Sequence, residues 1–271
     1  MRTRRPSGPT RRCLRASSVH PQDHFSSVSH QYATSRPTYP QALFQWLATV
    51  APAHERAWDC ACGSGQASVD LAERFSHVVG TDLSAQQLAE APQHPRIEYH
   101  VAVAESSGLP AASFDLVTVA QALHWFEHER FYAEVRRVLR PGGVLAAWCY
   151  GKGVVDHPAV DAVLQDFYHE VVGPYWKPER KLVEEGYRSL PFPQPELAVP
   201  DLSMALDWSL EALIGYTRSW SATALYIKTL GSDPVPALAG RLRAVWGDPA
   251  VLRHRIRWPL SIRASSYGVS H

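Results

Sequence analysis

The sequence predicts an α/β protein on a doubly wound, mostly parallel sheet with helices on both faces, and three stretches carry that expectation. Residues 57–84, AWDCACGSGQASVDLAERFSHVVGTDLS, read as strand, glycine turn, helix and second strand, with Asp82 at the tip of the second strand. Residues 113–120, SFDLVTVA, form a short apolar run of the kind buried on both faces of a parallel sheet. Residues 254–262, HRIRWPLSI, alternate polar and apolar side chains, as an outer antiparallel strand should.

The remaining elements follow in order. Residues 24–40 are polar with interspersed aromatics and are broken by Pro37 and Pro40; residues 41–50 then place apolar side chains on one helical face. Strands are expected near 58–61 and 78–80, with a helix over 67–74 between them. Ser84 is a plausible cap for a helix over 85–91, and a short strand follows at 97–101. Phe131, Val135, Val138 and Leu139 recur at helical spacing, and Arg140-Pro141-Gly142-Gly143 should end that helix before a strand at 144–148. Beyond Tyr150 an amphipathic helix is expected over 158–172 and short helices near 210–214 and 237–246, while residues 186–210 hold four prolines, too many for one helix.

Composition bounds the classes of function. The 271 residues can bury one large core, and 45% apolar with 20% charged residues is ordinary for a globular chain. Residues 1–25 carry six arginines and one aspartate; with +1 on the whole chain, residues 26–271 carry −4, which does not advertise a nucleic-acid surface. The Arg-rich start has no apolar centre and reads as a disordered arm, an extension upstream of the natural start, or a weak presequence. No stretch approaches the ~18 apolar residues of a membrane span. The expectation is a cytoplasmic monomer or homodimer with no membrane or nucleic-acid partner. The four cysteines form neither a metal knuckle nor a CxxC, and His124 and His128 lack the HExxH arrangement, so no metal is expected.

The glycine turn carries the chemistry. Gly63 and Gly65 permit backbone angles and an approach that a β-carbon forbids, and the following helix points free N–H groups at the turn. Asp82 lies 17 residues past Gly65, near the spacing of a carboxylate that accepts from two ribose hydroxyls. A dinucleotide turn wants Gly or Ala where this chain has Ser68. Asp59, before the turn, suits an ammonium better than a pyrophosphate. These residues favour an amino-acid-bearing nucleoside, with a nicotinamide dinucleotide as the alternative.

WDCACGSGQ followed by VVGTDLS resembles the first two motifs of class I S-adenosylmethionine-dependent methyltransferases; Asp59, Gly63 and Gly65 match, and Ala61 stands where Gly is usual. YATSRPTYP, residues 32–40, resembles the lead segment of a type 11, trans-aconitate methyltransferase-like subgroup, and AESSGLP, FDLVTVAQALHWF and LRPGG resemble its later motifs. The likeness covers residues 30 to about 150. It implies a Rossmann-like sheet of about seven strands closed by an antiparallel last strand. It also implies one domain over 26–271, with a lid segment at 26–50 and substrate-side elements within 151–230. The cofactor implied is S-adenosyl-L-methionine, held by Tyr32, Arg36, Asp59, Ala61, Gly63, Gly65, Asp82, Leu83, Ala104, Glu105 and Gln121. The reaction implied is methyl transfer to a small molecule, with oxygen of a carboxylate or hydroxyl expected as acceptor. His124, at the end of the fourth strand, is the candidate general base, since an imidazole of ordinary pKa near 6.5 suits that work. Tyr32, Arg36 and Trp125 are candidates for pocket and lid, and Trp208, Arg218 and Trp220 for the substrate side. The competing readings are a nicotinamide-dependent oxidoreductase and a non-catalytic nucleoside-binding protein.

Overall fold

The computed structural model describes residues 37–268, so the arginine-rich start and the expected lid residues Tyr32 and Arg36 lie outside the described residues. Helix α1 (Gln41–Val50) follows Pro40 and buries Leu43, Phe44 and Leu47 on one face. The central unit is then β1 (Arg56–Cys60), α2 (Gln66–Ala72), β2 (His77–Asp82), α3 (Ala85–Ala89) and β3 (Ile97–Val101). It continues with β4 (Phe114–Ala120), α4 (His128–Val138) and β5 (Leu139–Tyr150). Strands β1 to β5 are parallel in the order β3-β2-β1-β4-β5, and β4, buried at every position except Ala120, lies between β1 and β5 as its apolar run predicts.

The expected outer strand is β8 (His254–Ser266), longer than the alternation shows. Leu260 to Ser266 pair antiparallel with β5, and His254 to Pro259 pair with β7 (Ser203–Trp208). Pro259, which has no N–H to offer a ladder, stands where β8 changes partners. β6 (Val154–Val155) adds a short pairing at Arg257 and Ile256. The sheet therefore has eight strands rather than about seven, and β7 comes from the proline-rich stretch that carries no clean strand signal. The remaining helices are α5 (Pro158–Asp166), α6 (Arg180–Glu184), α7 (Leu210–Arg218), α8 (Ser221–Leu230) and α9 (Val235–Trp246). The helix expected over 158–172 is α-helical to Asp166 and closes in a π turn at Phe167–Val171.

Both faces of the sheet are covered. One core joins Leu43, Leu71, Leu164, Leu213 and Leu242 from five helices to Trp148 and Trp258 of the sheet. The other packs Phe131, Val135 and Val138 of α4 on Trp58, Val117 and Leu145. The LRPGG segment is not a loop after α4: Leu139 already pairs with Phe114, and residues 140–143 bulge out before Val144 pairs with Leu116, with Gly142 at φ +80°.

Asp115 fastens the start of this sheet. Its side chain is fully buried; Oδ2 accepts the N–H groups of Glu55 and Arg56, each at 2.9 Å, and Oδ1 accepts from Arg140 Nη1 at 2.9 Å. Three segments distant in sequence meet on one carboxylate. Asp115→Ala leaves those donors without it and should lower unfolding free energy by about 3 kcal/mol in urea titrations, with Asp115→Asn losing less.

Candidate active site at the carboxyl ends of the central strands

From β1 the chain crosses to β2 on one side, and from β4 to β5 on the other, so a crevice opens where their carboxyl ends diverge. The turn above β1 is left-handed at three alternate residues: Ala61 at φ +54°, Gly63 at +56° and Gly65 at +77°. At Gly65 a methyl group would also collide with the Tyr99 hydroxyl; at Gly63 its nearest neighbour would be Gln87 Oε1 at 3.6 Å, so there the backbone angle is the constraint. Ala61, where the family usually has Gly, adopts the glycine-like angle at a cost of about 1 kcal/mol. Asp82 ties the turn down, accepting from the N–H of Gly63 at 2.9 Å through Oδ2 and from that of Ser84 at 2.8 Å through Oδ1. Each carboxylate oxygen retains a second acceptor position.

Asp59 has no exposed surface. Its carboxylate accepts from Ser68 Oγ at 2.6 Å and from Thr118 Oγ1 at 2.9 Å, joining β1 to α2 and β4 beneath the turn. Burial raises its pKa to about 6, against the lowering effect of those two hydroxyls. Ser68, a mismatch for a dinucleotide turn, is the donor that this buried carboxylate uses.

Beyond Asp82 the tips of β2 and β3 carry apolar side chains in the open: Leu83, Val101 and Val103 are 45%, 60% and 38% exposed. Val101 is the register partner of Asp82. An exposed apolar patch beside a carboxylate suits the base and ribose of a nucleoside. Ala104 is buried in the α4-side core, while Glu105 Oε1 accepts the N–H of Glu127, at the start of α4, at 2.9 Å.

Across the crevice, Gln121 holds φ +59°; its N–H donates to Trp148 O at 2.9 Å and its Nε2 to Tyr150 O at 3.1 Å. His124 lies on the 3₁₀ turn Leu123–Trp125, its Nδ1 2.9 Å from Tyr187 Oη and its ring 4.7 Å from that of Trp125. Burial, with a smaller contribution from the Arg180 charge, lowers the His124 pKa to about 4, so the ring is neutral at pH 7. Tyr187 is fully buried in a left-handed conformation at φ +62°, directly after Gly186 at +63°. From the lead segment, Tyr39 packs edge-on against Trp148 at 5.5 Å, and Pro37 O accepts from Gln66 Nε2 at 3.1 Å.

The structure thus gathers Ala61, Gly63, Gly65, Asp82, Leu83 and Glu105 on one side of the crevice and Gln121, His124 and Trp125 on the other. It adds Tyr39, Tyr187 and Arg180, which the sequence reading did not single out. Tyr39 stands within the quoted YATSRPTYP segment, whereas Tyr187 sits among prolines with no motif to mark it. Arg218 pairs with Asp233 at 2.9 Å. Trp220 packs on Tyr168 and Trp176, and Trp208 on Trp258. Among the described residues no three metal-ligating side chains converge, and no helix is long and apolar enough to cross a membrane.

Comparison with known proteins agrees with this geometry. Residues 58–147 match the family described as "Methyltransferase domain". A Dictyostelium discoideum protein named as a methyltransferase is 36% identical over 219 residues, 80% of this chain and 83% of its own length. A solved structure from Anaeromyxobacter dehalogenans, described as a type II methyltransferase, shares 50% identity at a TM-score of 0.81, over 85% of this chain and 97% of that one. The chain belongs to the class I S-adenosylmethionine-dependent methyltransferases. A methyltransferase of Mycobacterium tuberculosis is 38% identical over 125 residues, 45% of this chain and 49% of its own length. The enzyme's cofactor is therefore S-adenosylmethionine and its reaction is methyl transfer to a small molecule.

Asp59 makes the methyltransferase's stability depend on pH. Its folded pKa, about 6, lies above the ordinary 3.8, so the folded state favours the protonated acid. The stabilisation is complete below pH 4 and is lost as pH rises through 6, a change of roughly 3 kcal/mol. Asp59→Asn should abolish that part of the slope. Unfolding free energies of both proteins between pH 4 and 7 should differ by a pH-dependent term of that size; parallel curves would refute it.

Proposed function

We propose that this methyltransferase methylates an oxygen atom of its small-molecule acceptor, and that the acceptor oxygen is ionised before it binds. The observation that supports this is the neutral, half-buried His124 facing Tyr187. A base whose conjugate acid has a pKa of about 4 takes a proton from an alcohol or phenol poorly, while a carboxylate needs no base at neutral pH. His124 then holds the acceptor in line as a neutral hydrogen-bonding group, oriented through Nδ1 by Tyr187, with Trp125 as wall. A hydroxyl acceptor is the second reading, with His124 as general base.

S-adenosylmethionine, when bound, supplies an activated methyl group on a positively charged sulfur. The chain's own part is binding, orientation and exclusion of water. In this reading the backbone at Ala61, Gly63 and Gly65 passes close to the methionyl portion, and Gln121 flanks it from β4. Asp82 accepts from the ribose hydroxyls. Leu83, with Val101 and Val103, covers the adenine, while Glu105 and the main chain at Ala104 approach its amino edge. Asp59 acts from beneath, through Ser68 and the start of α2. Tyr32 and Arg36 complete the lid, residues 26–271 act as one unit, and elements within 151–230 build the acceptor side. The Tyr39 and Pro37 contacts support a lid that starts from the site.

Calorimetry should show binding of S-adenosylmethionine but not of NAD, weakened roughly 100-fold by Asp82→Ala, the loss expected for two hydrogen bonds to a charged group. Equal NAD affinity would count against the S-adenosylmethionine assignment, and a constant unchanged by Asp82→Ala would remove Asp82 from the site. With a carboxylate acceptor, His124→Gln should change kcat by less than about tenfold and the rate should be level from pH 6 to 8. A loss of 100-fold or more, with donor affinity unchanged, would establish His124 as a general base and the hydroxyl reading with it.

A further inference from the structure

Next to His124 the structure holds a second feature that donor binding leaves unused. A cavity of about 450 Å³ is lined by Tyr168, Trp176, Lys177, Arg180, Lys181 and Glu184. Arg180 lies in its wall, its side chain only 24% exposed and its guanidinium 4.8 Å from the centre of the Trp176 ring. One edge of that guanidinium is occupied: Nε donates to Tyr168 Oη at 2.9 Å and lies 3.7 Å from Glu184 Oε1, which in turn accepts from Tyr168. The other edge is not. Among the described residues Nη1 and Nη2 make no hydrogen bond, although both remain donors at any physiological pH. Lys177 adds a second positive charge to the wall, while Lys181 is paired with Glu185 at 3.7 Å and Arg180 has Glu184 beside it. Lys177 Nζ lies 5.4 Å from the centre of the Trp125 ring, and the Cys149 thiol donates to Val183 O of α6 at 3.6 Å, which ties the cavity to the turn carrying His124 and to the end of β5.

We infer that Arg180 is the specificity-determining residue of the acceptor pocket, pairing through Nη1 and Nη2 with a carboxylate of a planar, apolar acid that lies along Trp176. This rests on the oxygen-transfer reading above and deepens it by naming the acceptor class. Paired N–H groups in one plane match the two oxygens of a carboxylate, and a flat ring or conjugated chain matches the aromatic wall that Trp176 and Tyr168 give the cavity. A primary amide of the same shape presents one acceptor and an N–H₂ group that opposes the guanidinium donors, so it should be rejected.

The experiment uses the full chain with S-adenosylhomocysteine bound, and measures by calorimetry the affinity of phenylacetate and cinnamate and of their primary amides. The acids should bind at least tenfold more tightly than the amides. Arg180→Gln should erase that preference, and Arg180→Lys should restore part of it, while S-adenosylhomocysteine affinity reports that each variant is folded. Amides that bind as well as the acids, acids that do not bind, or an acid preference that survives Arg180→Gln would each overturn the assignment. The acid-against-amide comparison on the unmodified enzyme decides the matter even if a variant fails to fold. Acids held through Arg180 with no labelled methyl ever appearing on oxygen would defeat the oxygen-transfer reading and leave the carboxylate site standing. Labelled methyl on a hydroxyl of a neutral acceptor, with no acid bound, would do the reverse.

Discussion

The site rests on a carboxylate that is sealed inside the protein. Asp59 has lost all contact with water, and two hydroxyls, from Ser68 and Thr118, offset part of that loss. Hydrogen bonds to a charged group are worth about 1.5–3 kcal/mol each, whereas an uncompensated buried charge costs several. The helix after the turn and the central strand β4 are therefore drawn to the end of β1 by the same group. Displacing α2 would strand the carboxylate, so the floor of the crevice is held from below while its rim stays open.

Above that floor, backbone strain collects around the crevice. Ala61, Gln121 and Tyr187 are three of four non-glycine residues with positive φ among the described residues, and all three border the crevice. Such conformations cost on the order of 1–3 kcal/mol each and persist where surrounding contacts over-determine them. Gln121 is secured by two hydrogen bonds to carbonyls of β5, and the Tyr187 carbonyl is gripped by Arg263 of β8 at 2.7 Å. The same Arg263 pairs with Glu196 and accepts no freedom in the intervening chain, since it also holds the Leu190 carbonyl. The outer antiparallel strand thus holds the segment that carries Tyr187 through one guanidinium.

The two halves of the site differ in origin. Asp82, Leu83, Gly63 and Gly65 come from one 21-residue stretch, and their geometry follows from the strand-turn-helix-strand path alone. The proposed acceptor half is assembled from β4, the turn carrying His124, helix α6 and the segment at Tyr187, which are brought together only when β8 closes the sheet.

Sequence by itself determined the parallel sheet, the glycine turn and Asp82, because short-range periodicity and the angular demands of glycine act within a few residues. It also marked the alternation that became β8 and placed His124 at the end of the central strand. It did not reveal that Asp59 points into the core, since that depends on Thr118, which lies 59 residues away. Nor did it show β7, whose residues carry a strand only because β8 offers them an edge. Tyr187 and Arg180 had no local pattern to distinguish them. Their meaning comes from what lies opposite, a neutral imidazole and an open cavity, and such opposition arises from long-range packing, which no periodicity within a few residues encodes.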